Sequence, residues 1–185
     1  MSSGFQFPPL SGGQFARWDR PRLGVTNGSD NRSAQALRQV LAQFPIDDPF
    51  YAPGNGLTWC NIFAWHASLA LSVELPHWIR GFETRANDLC QWLEHKLQNG
   101  GAMQGPELGW REVDETTARL RANNGFPTFA TWQNPVPQKP GHIALVRPSP
   151  NNRTMVAQAG RVCTLSGELA ACFGGARPIR FWTND

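Results

Sequence analysis

Apolar positions follow two rhythms along the chain, a helical one before Gly125 and a strand-like one after it. Ser33 to Phe44 places Ala34, Leu37, Val40, Leu41 and Phe44 on one helical face, with Ser33 as N-cap and Pro45 as terminator. Thr58 reads as the next N-cap and Trp59 to Val73 as a helix that is apolar nearly all round, through Trp59, Ile62, Phe63, Ala64, Trp65, Ala67, Leu69, Ala70, Leu71 and Val73. A helix of that kind is buried on most sides. Leu75-Pro76 ends it. Arg85 to Leu97 is amphipathic and closes at Asn99-Gly100-Gly101. Val113 to Asn124 is a further helix, with Asp114 near its start and Gly125 just past its end.

After Gly125 the pattern shortens to strands at Thr128 to Trp132, Ile143 to Val146, Met155 to Gln158 and Ile179 to Trp182. Pro135 to Gly141 and Pro148 to Asn152 carry turn residues. Helices followed by antiparallel strands make the expected class α+β, with N-terminal helices packed on a C-terminal antiparallel sheet. The length of 185 residues suits one domain spanning 1–185. Residues 1–32, rich in Gly, Pro, Ser and Asn, are expected to form an irregular N-terminal arm.

Composition narrows the function classes. The net charge is +3, and the arginines are scattered rather than clustered, which argues against a nucleic-acid partner. No apolar stretch reaches membrane-spanning length. The N-terminus lacks the basic start and apolar core of a secretory signal. Synthesis in the cytoplasm is expected, with any later export by a specialised route. Cys60, Cys90, Cys163 and Cys172 form no CxxC, and His66, His77, His95 and His142 form no HExxH, so neither a metal site nor a cofactor is expected. Cys163 and Cys172 remain open to pairing in an oxidising compartment. Cys90 and Cys172 read as buried free thiols.

Three positions carry candidate chemistry. In Gly54-Asn55-Gly56-Leu57-Thr58-Trp59-Cys60-Asn61, the cysteine falls in the first turn of the buried helix. Unpaired N–H groups and the helix dipole there favour a thiolate and can receive an oxyanion. His142 opens an apolar strand after Pro140-Gly141, a place from which an imidazole can face a helix end. Gln158, among small residues of the following strand, can accept the imidazole N–H and fix its tautomer. Taken singly, each has an ordinary alternative: an inert buried thiol, a surface histidine, an edge-strand glutamine.

Together, cysteine at a helix N-terminus, histidine on a strand and a polar residue on the next strand resemble the papain-like NlpC and CHAP families over roughly residues 50–160. The resemblance implies a papain-like fold and a cysteine amidase or endopeptidase that cleaves amide bonds of peptidoglycan, in the stem peptide or between peptide and sugar. It implies Cys60 as nucleophile, His142 as base and Gln158 as orienting residue. Tyr51, by analogy with a tyrosine before the nucleophile in NlpC members, and Asn55 are oxyanion candidates. The chain departs from the family in reading Cys-Asn-Ile rather than Cys-Ser-Gly after the nucleophile, and in having Gln at the third position. His66, two turns along the same helix, reads as a buried structural histidine.

The expected partner is peptidoglycan or a peptide, in the periplasm or cell wall. The absence of a secretory signal fits an antibacterial effector delivered by a secretion machine, with an adaptor or an immunity protein as further partners, or a phage-type lysin. The alternatives are a cysteine protease, deamidase or acyltransferase acting on a host protein, and a catalytically inactive binding domain.

Overall fold

The computed structural model describes residues 17, 19–97, 102–136, 138–175 and 177–185. Among the described residues five α-helices, α1 (Ala34–Ala42), α2 (Cys60–Ala70), α3 (Ala86–Leu93), α4 (Glu115–Asn123) and α5 (Leu169–Phe173), accompany eight strands. Six strands, β3 (Arg111–Val113), β4 (Thr128–Trp132), β5 (His142–Arg147), β6 (Met155–Ala159), β7 (Cys163–Glu168) and β8 (Arg180–Thr183), form an antiparallel sheet in the order β3-β8-β4-β5-β6-β7. A separate hairpin joins β1 (Trp78–Ile79) to β2 (Phe82–Glu83). The chain is α+β.

The sheet is covered on both faces. Phe129, Ile143, Leu145, Ala157, Ala159 and Trp182 pack in one cluster with α1, α2 and α3. Ala130, Ala144, Val146, Val156 and Phe181 pack in another with Ala118 and Ala122 of α4 and Leu169 and Phe173 of α5. This explains why β5 reads as an unbroken apolar run, since both of its faces are buried. It also corrects the expectation of helices followed by strands. The edge strand β3 precedes α4, and α5 interrupts the strands.

Every residue of α2 is buried, as its all-round apolar surface predicts. Its ends differ from those expected. The N-cap is Trp59, not Thr58, so Cys60 is the first helical residue. The C-terminus is Ala70 rather than Val73, because Ser72 turns left-handed at φ 59°. The Ser72 N–H then bonds Leu69 O at 3.1 Å and the Val73 N–H bonds Ser68 O at 3.0 Å.

A similar device ends α3 at Leu93, short of Leu97. His95 takes φ 57°, and the Lys96 N–H bonds Gln91 O at 2.7 Å. The expected closure at Asn99-Gly100-Gly101 lies outside the described residues. α4 is capped by Asp114, whose carboxylate accepts from the Thr117 N–H, and closes at Gly125 with φ 84°. A side chain at Gly125 would also lie 2.2 Å from Ser33 N. α1 keeps its expected cap, with Ser33 accepting from the Ala36 N–H.

Most of the N-terminal arm, residues 1–16 and 18, lies outside the described residues. Its described part is anchored by buried Asn27. The Asn27 backbone N–H bonds Ala70 O at 2.7 Å, and its amide donates to Gly125 O at 3.1 Å. No helix among the described residues is long and apolar enough to cross a membrane.

Candidate active site

The N-terminus of α2 meets the sheet where β5 begins and β6 ends. The Trp59 N–H bonds Ala159 O at 3.1 Å, tying the helix cap to the end of β6. The first amide of α2 to bond back along the helix is that of Phe63, to Trp59 O. The N–H groups of Cys60, Asn61 and Ile62 therefore have no intrahelical acceptor, and that of Asn61 bonds the sulfur of Cys60.

His142 is the first residue of β5 and the register partner of Trp132. The loop before it is held by Asn87 of α3, which donates to Lys139 O and accepts from the Asn134 N–H, both at 3.0 Å. A Cβ on Gly141 would lie 2.3 Å from Asn87 Oδ1, so the approach to His142 admits only glycine without rearrangement.

The imidazole joins the other two predicted residues. Its Nε2 is 2.5 Å from Gln158 Oε1, and its ring is hydrogen bonded to the Cys60 thiol. With Nε2 taken by Gln158, the bond to sulfur falls to Nδ1. The Gln158 amide is itself oriented, because its Nε2 donates to Val162 O at 2.9 Å. Its Oε1 must then accept the Nε2–H of the ring. Gln158 is buried rather than a surface residue of an edge strand. Gly160 leaves room for this pair: a Cβ there would stand 3.1 Å from His142 Cε1 and 3.2 Å from Gln158 Nε2. Phe173 meets the ring edge-on at 4.7 Å between centroids.

The electrostatics favour a charged pair. Burial pushes the Cys60 thiol up. The hydrogen bond and charge of His142, with the N–H groups of Ile143 and Asn61, outweigh burial and leave the thiol below its ordinary value. Burial pushes the His142 imidazole down. The bond and charge of Cys60 and the bond to Gln158 outweigh burial and the opposing charge of Arg177, so the ring sits above its ordinary value. Both directions favour thiolate and imidazolium. Cys90, by contrast, is pushed up to about 12 by burial, despite its bond to Thr131, and is inert at neutral pH.

The two oxyanion candidates have surroundings of their own. Tyr51 is fully buried, and its hydroxyl lies 2.7 Å from His66 Nδ1, about two turns along α2 from Cys60. Asn55 is at the exposed tip of a tight turn in which it takes φ 52° and Gly56 takes φ 74°. The Gly54 and Leu57 backbones bond each other on either side of that turn. A backbone conformation that Asn tolerates better than most residues accounts for its presence there. The backbone amides that bond the sulfur are those of Asn61 and Ile143, of which sequence reading could place only the first, through the helix start.

His66 is buried among Tyr51, Phe50 and Trp65, and burial, with a smaller push from His77, lowers its imidazole to about 3. Cys163 and Cys172 are free thiols, and the Cys163 thiol donates to Tyr51 O at 3.2 Å. Among the described residues no group of three or more His, Cys, Asp or Glu could hold a metal ion. Gly160, the Val162 carbonyl, Phe173 and Arg177 complete the surroundings of the dyad. Of these only Gly160, beside Gln158, fell within a motif legible in the sequence. Comparison with protein-family models gives no match, and comparison with curated proteins gives none either.

Proposed function

We propose that this chain is a papain-like cysteine amidohydrolase of the NlpC and CHAP type, acting on amide bonds of bacterial peptidoglycan. The observation that supports it is the hydrogen-bonded chain Cys60–His142–Gln158, set at a helix N-terminus with the thiol lowered and the imidazole raised. The order of these residues along the chain supports the substrate class, through the resemblance already described.

In this reading the Cys60 thiolate attacks the scissile carbonyl carbon. The C–S bond forms as the carbonyl electrons move to oxygen. The resulting oxyanion is received by the free amides at the start of α2. His142, protonated on Nδ1, gives that proton to the leaving amine as the C–N bond breaks, and a thioester remains. His142 then takes a proton from water as the water oxygen attacks the thioester. The C–S bond breaks, the carboxylic acid product leaves and gives its remaining proton to solvent, and the thiolate–imidazolium pair is restored. Gln158 holds Nε2–H throughout, so that Nδ1 always faces sulfur and substrate.

The test is digestion of purified peptidoglycan with the wild-type chain and with Cys60→Ala, followed by mass spectrometry of the released fragments. Amide-cleaved fragments from the wild type alone support the reading. An intact sacculus together with rapid, selective alkylation of Cys60 by iodoacetamide would point instead to a protein substrate. No cleavage together with an unreactive Cys60 would point to a binding domain.

A further inference from the structure

Two guanidinium groups lie over indoles that adjoin the dyad. Arg17 is 4.2 Å from the ring centroid of Trp59, the residue before Cys60. Arg177 is 3.9 Å from that of Trp132, the register partner of His142. Their surroundings differ. Arg17 also lies over Phe50 at 5.0 Å and feels the charge of Asp48. Arg177 is exposed, and its side chain has no ion pair or hydrogen bond among the described residues.

The other arginines that stack on aromatic rings have carboxylates of their own. Arg180, 4.8 Å over Trp182, makes two 2.6 Å bonds to Glu112 and also pairs with Glu94. Arg121, 3.4 Å over Phe126, pairs with Asp185. Stacking fixes the plane of a guanidinium and leaves its edge donors for a bidentate acceptor. At Arg177 no such acceptor is present among the described residues.

The segment that presents Arg177 is shaped by the site. α5 ends at Phe173, which touches the His142 ring. Gly174 and Gly175 then turn left-handed at φ 70° and 91°, and Arg177 follows over Trp132. A bare cation there works against the imidazolium that catalysis uses, because its charge lowers the His142 pKa. An anion seated on Arg177 would remove that opposition as it bound.

We infer that Arg177, held flat by Trp132, is the carboxylate-binding residue of the site and selects stem peptides bearing a free carboxylate beside the scissile amide over their amidated forms. This inference rests on the peptidoglycan reading above. The affinity comes from a planar pair of charge-assisted hydrogen bonds, which a carboxamide cannot reproduce because one of its two groups is itself a donor.

The experiment uses soluble stem-peptide fragments in which the α-carboxylate of D-glutamate is either free or amidated. KM and kcat are measured for wild type, Arg177→Gln, Arg177→Lys and Arg38→Gln. Arg38 is an exposed arginine of α1 and controls for the loss of one positive charge. Wild type is expected to show a KM about tenfold or more higher for the amidated form, with kcat less affected. Arg177→Gln should raise KM on the acid form and erase the preference. Arg177→Lys should keep part of it as a point charge, and Arg38→Gln should match wild type. A wild-type enzyme that cleaves both forms equally, or an Arg177→Gln variant that keeps the preference, overturns the role of Arg177 and leaves the peptidoglycan reading standing. A wild-type enzyme that cleaves neither form overturns this inference, and the sacculus digest described above then decides the peptidoglycan reading by itself.

Discussion

His66 lies on the same helix as Cys60, bonded to the Tyr51 hydroxyl, and its burial makes the fold sensitive to acid. Its imidazole is lowered to about 3, with burial as the main cause, whereas in the unfolded chain it titrates near the ordinary value of about 6.5. As pH falls through 6.5, the unfolded state takes up the proton first. Stability is therefore lost as pH falls from 6.5 towards 3, and nothing is lost above 6.5. Between pH 7.5 and pH 5 the loss from this one group is about 2 kcal/mol, from the ratio of proton binding in the two states.

The perturbation that isolates it is His66→Asn. The Asn Oδ1 can take the place of Nδ1 as acceptor for the Tyr51 hydroxyl, now 2.7 Å from His66 Nδ1. Asn also carries no titrating group. The variant loses the ring packing against Phe50 and Trp65, a cost that does not change with pH. Urea unfolding of both proteins at pH 7.5, 6.5, 5.5 and 5 is the assay, read as the difference in unfolding free energy. Wild type should be the more stable at pH 7.5, and its advantage should shrink by about 2 kcal/mol by pH 5. Carboxylates and His77 titrate in both proteins and largely cancel in the difference. Parallel stability curves across this range would show that His66 is not held neutral by burial, and the account of α2 as buried on every side would fail with it.

The remaining predictions concern the dyad. Cys60→Ala should lower amide hydrolysis by about a thousandfold or more with an unchanged melting temperature, while Cys90→Ala, whose thiol stays protonated, should leave the rate nearly intact; equal losses would remove Cys60 as the nucleophile. His142→Ala should cost nearly as much as Cys60→Ala, and Gln158→Ala less. Because the bond to Gln158 raises the His142 pKa, Gln158→Ala should also move the alkaline limb of the pH–rate profile to lower pH, and an unmoved limb would count against the orienting role. Gly160→Ala should reduce kcat by about tenfold with little change in thermal stability, since its methyl would press His142 Cε1 and the Gln158 amide out of line; a wild-type kcat would show that the pair has slack.

What could be read in advance followed from signals that repeat or that carry a local physical meaning. The apolar surface of α2 announces burial on all sides, and the strand β4 is bounded as expected because its β-branched and aromatic residues run between Pro127 and Asn134-Pro135. Helix ends were misjudged where non-glycine residues accept left-handed conformations. Ser72 and His95 do so because the hydrogen bonds that close the helix and the packing of the following segment compensate them. β7 and β3 were missed for a different reason. β7, Cys-Thr-Leu-Ser-Gly-Glu, lies at the sheet edge with none of its residues fully buried, and β3 is a three-residue edge strand, so neither carries a buried period of two.

The site divides along the same line. Cys60, His142 and Gln158 were legible because each type is required by the chemistry and each falls at an element's start or interior, where direction can be inferred. The contacts that hold them were not. Val162 contributes only a carbonyl to Gln158, Asn87 acts on a loop far from it in sequence, and Tyr51 pairs with His66 through a hydroxyl whose direction depends on the whole core. Tertiary contacts of this kind have no period and no spacing. They decide whether the imidazole keeps one tautomer and whether the thiol loses its proton, so the roles of the three residues depend most on the part of the structure that the chain's pattern does not disclose.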